Sequence, residues 1–448
     1  MKKVLIANRG EIAVRIIRTL KEMNITSVAV YSSGDKDSLH VALADEAYCI
    51  GGPSSADSYL NIDNILQAAL MSGADAIHPG YGFLSETPEF ARRTEELGKI
   101  FIGPTAETME KMGNKSMARQ TMEKAGVPVI PGSDGIVNSI EEVKTLAANI
   151  TYPVVIKAVS GGGGKGMRFA HSDEDVDKLY AEAKKEAKSS FNDDRLYVEK
   201  YIPKARHIEI QIIGDGHGGA VHLYERDCSI QRNNQKLLEE APATILSEKE
   251  RADITETTRQ AIEQLNYRGA GTIEYLYVPE EKRFYFIEMN TRVQVEHTVS
   301  EEVTGVDIIR AQIDVAFNDD IGFSQNDVQL TGHAIEARIN AEDPASNFMP
   351  SPGKIETLHL GLGRNVRVDT HIYSGYTIPP YYDSMIAKII VTAKDRHSAF
   401  EKLQLVLGET VIEPVKTNLD FQYYLTGHPK VLANDYDIKF IHTENIIE

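Results

Sequence analysis

"VIKAVSGGGGKGMRF", residues 155–169, sets four adjacent glycines between two apolar runs, with Lys157 and Lys165 on either side. Glycine loses more conformational freedom on ordering than any other residue, so four in a row are costly in a folded chain. One reading is a flexible hairpin tip. The other is a cover over phosphate groups, where bare backbone N–H groups approach anionic oxygens unobstructed. Neither familiar phosphate loop fits. A G-x-x-x-x-G-K-[ST] loop needs Ser or Thr after its lysine, whereas Gly166 and Met167 follow Lys165. A dinucleotide-binding turn opens directly into a helix, whereas "MRFA" has strand character. The stretch predicts a β-hairpin over phosphates.

The residues around it read as a compact α+β segment. "EEVKTLAANI" and "DEDVDKLYAEAKKEAKSS" are helical, while "YPVVIKAV", "KGMRFA" and "RLYVEKYI" are strands. Upstream, the order is strand "KVLIA", helix "EIAVRIIRTLKEM", strand "ITSVAVY", helix "NIDNILQAALMSG" and strand "DAIHPG". Ile12, Ile16 and Leu20 form the apolar stripe of the first helix. This βαβα order predicts a parallel, doubly wound sheet. A helix after Gly113 ends in a Gly/Pro-rich exit at residues 126–132, a domain boundary. Downstream, "RHIEIQIIGD" and "GGAVHLYERD" read as antiparallel strands. They are followed by helix "EKERADITETTRQAIEQL", hairpin "GTIEYLYV…RFYFIEMN" and a C-terminal α+β portion.

The 448 residues are too many for one ordinary core. A net charge of −18 argues against a nucleic-acid partner, since phosphate contacts need a basic surface. Cys49 and Cys228 are the only cysteines, so there is no disulfide framework and a reducing compartment is expected. "MKKVLIANRGE" has too short an apolar core for a secretory signal, and no stretch approaches a membrane span. The expected location is cytoplasmic.

The hairpin carries the sharpest chemistry. With Val278 opposite Phe284 and Pro279–Arg283 as the loop, Glu274 falls opposite Glu288, and Asn290 shares their face. Two directly opposed carboxylates are destabilising without a partner. Tyr285, Ile287 and Met289 make the other face core-like. Two carboxylates and an amide oxygen are hard ligands of the kind Mg²⁺ takes. The alternative, two solvated glutamates paired with lysines, is less consistent with that buried face. If the strand persists through "NTRVQVEH", then Arg292, Gln294 and Glu296 continue on the same face. A cation, an amide and a carboxylate there suit a small oxyanion and a base to deprotonate it. Lys236, in the polar run "SIQRNNQKLLEEAP", reads from its neighbours alone as an exposed loop lysine.

Together these features resemble the ATP-grasp ligases and, within them, the biotin carboxylases, over essentially the whole chain. The resemblance rests on "IANRGEIAVRIIR", "HPGYGFLSE", "GGGGKGMR", "RHIEIQI", "ERDCSIQR", "GAGTIEY", "EMNTRVQVEH", "INAEDP" and "PPYYDSMIAK". It implies an N-terminal Rossmann-like domain over 1–112, linker helices over 113–129, and a small mobile lid over 130–201. The ATP-grasp catalytic part follows over 202–330, and a C-terminal biotin carboxylase domain over 331–448. The implied reaction is ATP-dependent carboxylation of biotin by bicarbonate through carboxyphosphate. By the same resemblance, Glu274, Glu288 and Asn290 hold Mg²⁺ or Mn²⁺. Lys115, Lys157 and the backbone of Gly163 and Gly164 contact the ATP phosphates. Glu199, Lys200, Tyr201 and Ile202 meet the adenine, with His207 near the ribose and Asn234 near the nucleotide. Arg292, Gln294, Val295 and Lys236 hold bicarbonate, Glu296 deprotonates it, and Arg338 stabilises the biotin oxyanion.

The implied partners are a biotin carboxyl carrier protein, carboxyltransferase subunits and a second copy of the chain, with Arg18 and Glu22 on the dimer surface. No "AMKM" carrier motif is present, so biotin is expected on a separate protein. Acetyl-CoA carboxylase, feeding malonyl-CoA and fatty acid synthesis, is the expected assembly, with another acyl-CoA, pyruvate or 2-oxo acid carboxylase as the alternative. One departure stands out. Related chains commonly carry a basic residue and often a histidine where this one has Asn233 and Asn234, which bears on nucleotide affinity. Two other readings are an ATP-grasp ligase with an amine acceptor and a non-catalytic nucleotide sensor. "INAEDP" with Arg338 disfavours the first; the complete set of Lys236, Arg292, Glu296 and metal ligands disfavours the second.

Overall fold

A computed structural model describes residues 2–159, 167–191, 193–444 and 446. The glycine run, with Gly163, Gly164 and Lys165, lies outside them. Strands Glu46–Cys49, Thr26–Tyr31, Lys3–Ile6, Ala76–His78 and Ile100–Phe101 form one sheet in that order, all parallel. Successive side chains of a strand point to opposite faces. Val4 and Ile6 join Ile12, Ile16 and Leu20 of helix Gly10–Glu22, whereas Leu5 joins Ile65 and Leu66 of helix Ile62–Ser72 and Phe90 of helix Pro88–Glu96. Helices therefore cover both faces, as the βαβα order requires. Helix Ile62–Ser72 starts where the Asn61 side chain accepts from the Asn64 N–H, and it stops at Gly73, whose φ is +67°. A left-handed residue there needs glycine or asparagine.

The chain forms two compact units, Met1–Ala118 with Arg206–Tyr275 and Glu288–Glu448, and Arg119–Ala205 with Leu276–Ile287. In the smaller unit, strand Val154–Ala158 pairs antiparallel with both Met167–Ala170 and Leu196–Lys200. Val154, Ile156 and Ala170 pack with Val143 and Ala147 of helix Ile140–Ile150 and with Val176, Ala183 and Ala187 of helix Asp173–Phe191. The strands flanking the glycines thus pair antiparallel, as expected.

An eight-stranded sheet carries the chemistry-bearing residues. Its order is Arg283–Asn290, Arg268–Val278, Arg206–Asp215, Ala220–Arg232, Gln235–Ala241, His333–Asn340, Met385–Ala393 and Val366–Thr370. Strands Ala220–Arg232 and Gln235–Ala241 are joined by a two-residue turn in which Asn233 and Asn234 take φ of +51° and +63°. Both central residues of such a turn need positive φ, which asparagine tolerates. Lys236 therefore lies in a strand, not in an exposed loop. The loop between Arg268–Val278 and Arg283–Asn290 is residues 279–282, one residue shorter than expected, because Arg283 enters the strand. Strand Arg283–Asn290 ends at Asn290, so the predicted alternation does not persist to His297. An irregular stretch follows, then helix His297–Thr304, whose Val299 and Val303 pack on Ala334 and Ile390 of the sheet.

Candidate active site

Three carboxylates converge on one lysine. The Lys236 ammonium donates to Glu209, to Glu274 at 3.1 Å and to Glu296 at 2.6 Å. Glu274 and Glu209 lie on adjacent strands of the eight-stranded sheet and Lys236 two strands beyond Glu209, while Glu296 immediately precedes helix His297–Thr304. Burial disfavours the ammonium, but Glu209, Glu296 and Glu274 outweigh it and hold the Lys236 pKa well above the usual lysine value. Lys236 is thus a fixed cation, suited to an anion and unsuited to act as a base.

Glu296 sits between two cations. Besides Lys236, the Arg338 guanidinium donates to it at 2.8 Å, and Arg338 Nε donates to Glu239 at 2.5 Å. Burial raises the Glu296 carboxyl, yet Lys236 and Arg338 bring it below its ordinary value despite Glu209. It is thus an ionised carboxylate in a buried place, its charge held by two cations. Glu239, behind Arg338, is raised to about 7 by burial, against the pull of that arginine.

Gln294 is held from behind by Arg226, fully buried, which donates to its Oε1 at 2.7 Å and also to Glu209, Gln211, Ser300 and Thr272. That contact settles the orientation of the amide, so its NH₂ faces Glu274 at 2.9 Å. Arg292 donates to Asn290 Oδ1 at 2.9 Å and through Nε to Glu86 at 2.8 Å. Arg292, Gln294 and Glu296 therefore meet at the site although the strand has ended.

Glu274 and Asn290 also come together, Asn290 Nδ2 donating to Glu274 Oε1 at 2.8 Å. Burial raises the Glu288 carboxyl, and the Glu274 charge raises it further. Glu288 makes no hydrogen bond or ion pair among the described residues. A half-buried carboxylate with no protein partner among the described residues, pushed up by a like charge beside an amide, fits a divalent cation. His207 stands 3.1 Å from Glu274 and 3.0 Å from Glu209. Burial lowers its pKa, but those glutamates carry it up to about 9.

In the smaller unit, Lys157 donates to Glu199 at 2.5 Å, across the paired strands. The Tyr201 ring lies 4.7 Å from Phe169, and Ile202 is buried. Lys115 opens helix Lys115–Lys124 on the surface of the larger unit. Asn234 is exposed at its turn. Gly163 and Gly164 are outside the described residues.

Sequence reasoning missed Glu209, Arg226, Glu239 and Glu86. A usable signal was present in "HIEIQI", where Glu209 and Gln211 alternate with Ile208, Ile210 and Ile212. Polar residues at every second place of so apolar a strand mark a buried polar face.

Residues 1–109 match the family model "Biotin carboxylase, N-terminal domain", and residues 336–443 match "Biotin carboxylase C-terminal domain". Between them, residues 114–322 match "Carbamoyl-phosphate synthase L chain, ATP binding domain". The chain is 50% identical to biotin carboxylase 1 of Bacillus subtilis over 447 residues, covering 100% of this chain and 99% of that one. It superposes on a biotin carboxylase nucleotide complex from Campylobacter jejuni with a TM-score of 0.89, 49% identity and coverage of 99% and 98%. The biotin carboxylase domain of 2-oxoglutarate carboxylase from Hydrogenobacter thermophilus, a dimer with MgADP, ADP and bicarbonate, gives 0.90, 44%, and 100% and 98%.

Proposed function

This chain belongs to the biotin carboxylase family, an ATP-dependent ligase that carboxylates biotin with bicarbonate, and on that premise we propose which of its residues perform each step. The observation that carries the assignment is Glu296 held between Lys236 at 2.6 Å and Arg338 at 2.8 Å. Bicarbonate binds to Lys236, Arg292, Gln294 and the Val295 backbone. Glu296 removes its proton. An anion that draws Lys236 onto itself takes a cation away from Glu296, so the carboxylate becomes more basic as its substrate arrives. The deprotonated bicarbonate attacks the γ-phosphorus of ATP, ADP departs, and carboxyphosphate forms. Its breakdown supplies CO₂ and a phosphate that takes the N1 proton of biotin, and the resulting N1 anion attacks the CO₂. Arg338 then faces the oxygen on which biotin's negative charge collects, in the manner of an oxyanion donor.

Glu274, Glu288 and Asn290 would hold Mg²⁺ or Mn²⁺, which neutralises charge on the ATP phosphates. We assign Lys115, Lys157, Gly163 and Gly164 to the phosphates and Glu199, Lys200, Tyr201 and Ile202 to the adenine. His207 is assigned to the ribose and Asn234 to the nucleotide. The protein works as a homodimer and receives biotin on a separate carrier protein. A carboxyltransferase then passes the carboxyl group to acetyl-CoA, the first committed step toward malonyl-CoA and fatty acids. The relatives named simply biotin carboxylase support that assembly; the 2-oxoglutarate carboxylase likeness supports a 2-oxo acid as the alternative acceptor.

The test is ADP formation with Mg²⁺, with and without bicarbonate and free biotin. The reading requires dependence on bicarbonate and stimulation by biotin. ATP cleavage stimulated by amines and indifferent to biotin would overturn it.

A further inference from the structure

Lys388 is fully buried, and the assigned chemistry does not use it. It lies in strand Met385–Ala393, directly opposite Arg338 in one neighbouring strand and Asp369 in the other. Directly paired residues share a face, so Lys388 stands in one charged row between Arg338 and Asp369. Its ammonium stands 3.2 Å from Glu11, at the start of helix Gly10–Glu22, and 4.0 Å from Asp369. Tyr81 donates to the same Glu11 oxygen. Burial works against the charge, and Glu11, Glu336 and Asp369 sustain it. A lysine so placed needs a reason, because an apolar residue of equal volume avoids the desolvation.

Its third contact supplies one. Lys388 Nζ donates at 2.8 Å to the carbonyl oxygen of Val295. That carbonyl belongs to the peptide joining Val295 to Glu296, and Glu296 is the N-cap of helix His297–Thr304. No regular strand pairing holds this stretch, since the strand ended at Asn290. The first turn of the helix is tied to the same face by Thr298, which donates to Glu336.

We infer that Lys388 is a positioning residue for Glu296: by fixing the Val295–Glu296 peptide from the face of the sheet that carries Arg338, it sets where the base carboxylate meets bicarbonate. This rests on the proposed role of Glu296. Rate depends steeply on such placement, because a misplacement on the order of 1 Å can cost about a hundredfold.

The test is the double variant Lys388→Met/Glu11→Gln, which removes the donor and its counter-charge together and leaves Asp369 paired with Arg367 at 2.7 Å. The Glu11→Gln amide keeps an oxygen for Tyr81. Lys388→Met alone serves as the comparison, expected to melt lower because Glu11 is left unpaired. The double variant should recover most of that melting temperature. Its kcat for bicarbonate-dependent ADP formation should still fall at least about tenfold, with a raised KM for bicarbonate and a KM for ATP within about twofold of the parent. Recovery of kcat together with stability would show that Lys388 only balances charge, and would overturn the inference. A fall shared equally by the ATP and bicarbonate KM values would overturn it as well. Glu296→Gln in the parent background distinguishes the two proposals: if that variant stays active, the base assignment fails first.

Discussion

Replacing Arg338 by alanine should separate the two half-steps and shift the pH dependence of the first. The guanidinium binds Glu239 at 2.5 Å and Glu296 at 2.8 Å, and both carboxylates are buried. A hydrogen bond to a charged group contributes about 1.5–3 kcal/mol, so losing two bounds the destabilisation at about 3–6 kcal/mol. Glu239 moderates this. Burial already raises it to about 7, so at neutral pH it takes up a proton for about 1 kcal/mol or less and becomes a neutral group. Glu296 retains Lys236. One adjacent cation lowers a carboxyl by roughly one to three units, so the base should rise by at least about one when Arg338 is lost. A base works above its pKa, and the acid limb of bicarbonate-dependent ATP cleavage should therefore move to higher pH. The assay is ADP release between about pH 6 and 9, with and without free biotin. At the alkaline end, biotin-independent cleavage should stay within about fivefold of the parent. Biotin carboxylation should fall about a hundredfold or more, the loss typical of a missing oxyanion donor. An equal fall in both activities with an unmoved acid limb would refute the reasoning.

Glu288→Gln should lower activity by at least about tenfold and raise the Mg²⁺ needed for half-maximal rate, while far-UV circular dichroism stays unchanged; near-parental rate at limiting Mg²⁺ would remove Glu288 from the metal set. Asn234→His should lower the KM for ATP by up to about tenfold with kcat nearly constant, as one added hydrogen bond allows, and the turn should hold because histidine is among the residues that accept positive φ. A fall in kcat without gain in affinity would exclude Asn234 from the nucleotide contacts. His40 is lowered to about 4, and His78, His297 and His371 to about 3, each chiefly by burial. Their folded pKa values lie below the unfolded one, so stability is unaffected above about pH 6.5 and lost as pH falls below it. At roughly pH 5.5 the loss is about 1.4 kcal/mol per histidine, measurable by denaturant titration at the two pH values. An unchanged midpoint would show that these rings are charged in the fold.

Much of this was legible in the chain. The N-terminal sheet declared itself through short apolar runs and an i, i+4 stripe at Ile12, Ile16 and Leu20, because both its faces are covered. Glu274, Glu288 and Asn290 stood out because carboxylates beside Tyr285 and Met289 cannot be surface decoration. Lys236 did not stand out. Its neighbours look solvated because Glu239 and Glu240, polar in sequence, are buried in fact and neutralised by partners far along the chain, Arg338 and Arg396. Gln294 and Glu296 lie beside Glu274 and Lys236, but not by the route that the alternation implied. Period two presumes that a strand continues, whereas a break after Asn290 and a tether from Lys388 bring these residues in. Long-range anchoring of that kind leaves no local periodicity to read.

Strand Gln235–Ala241 pairs with Ala220–Arg232 on one edge and with His333–Asn340 on the other. The lysine assigned to bicarbonate and the arginine assigned to biotin are thus carried by adjacent strands of one sheet. Such an enzyme resists dissection. A chain cut ahead of His333 would leave the Gln235–Ala241 strand with an open edge and uncover Leu237 and Leu238, which pack on Ile335, Ala337 and Ile389. A bare edge of that kind recruits other chains. Swapping acceptor specificity by grafting the C-terminal portion of another carboxylase would have to preserve this seam, residue against residue, before any difference in the grafted loops could be felt.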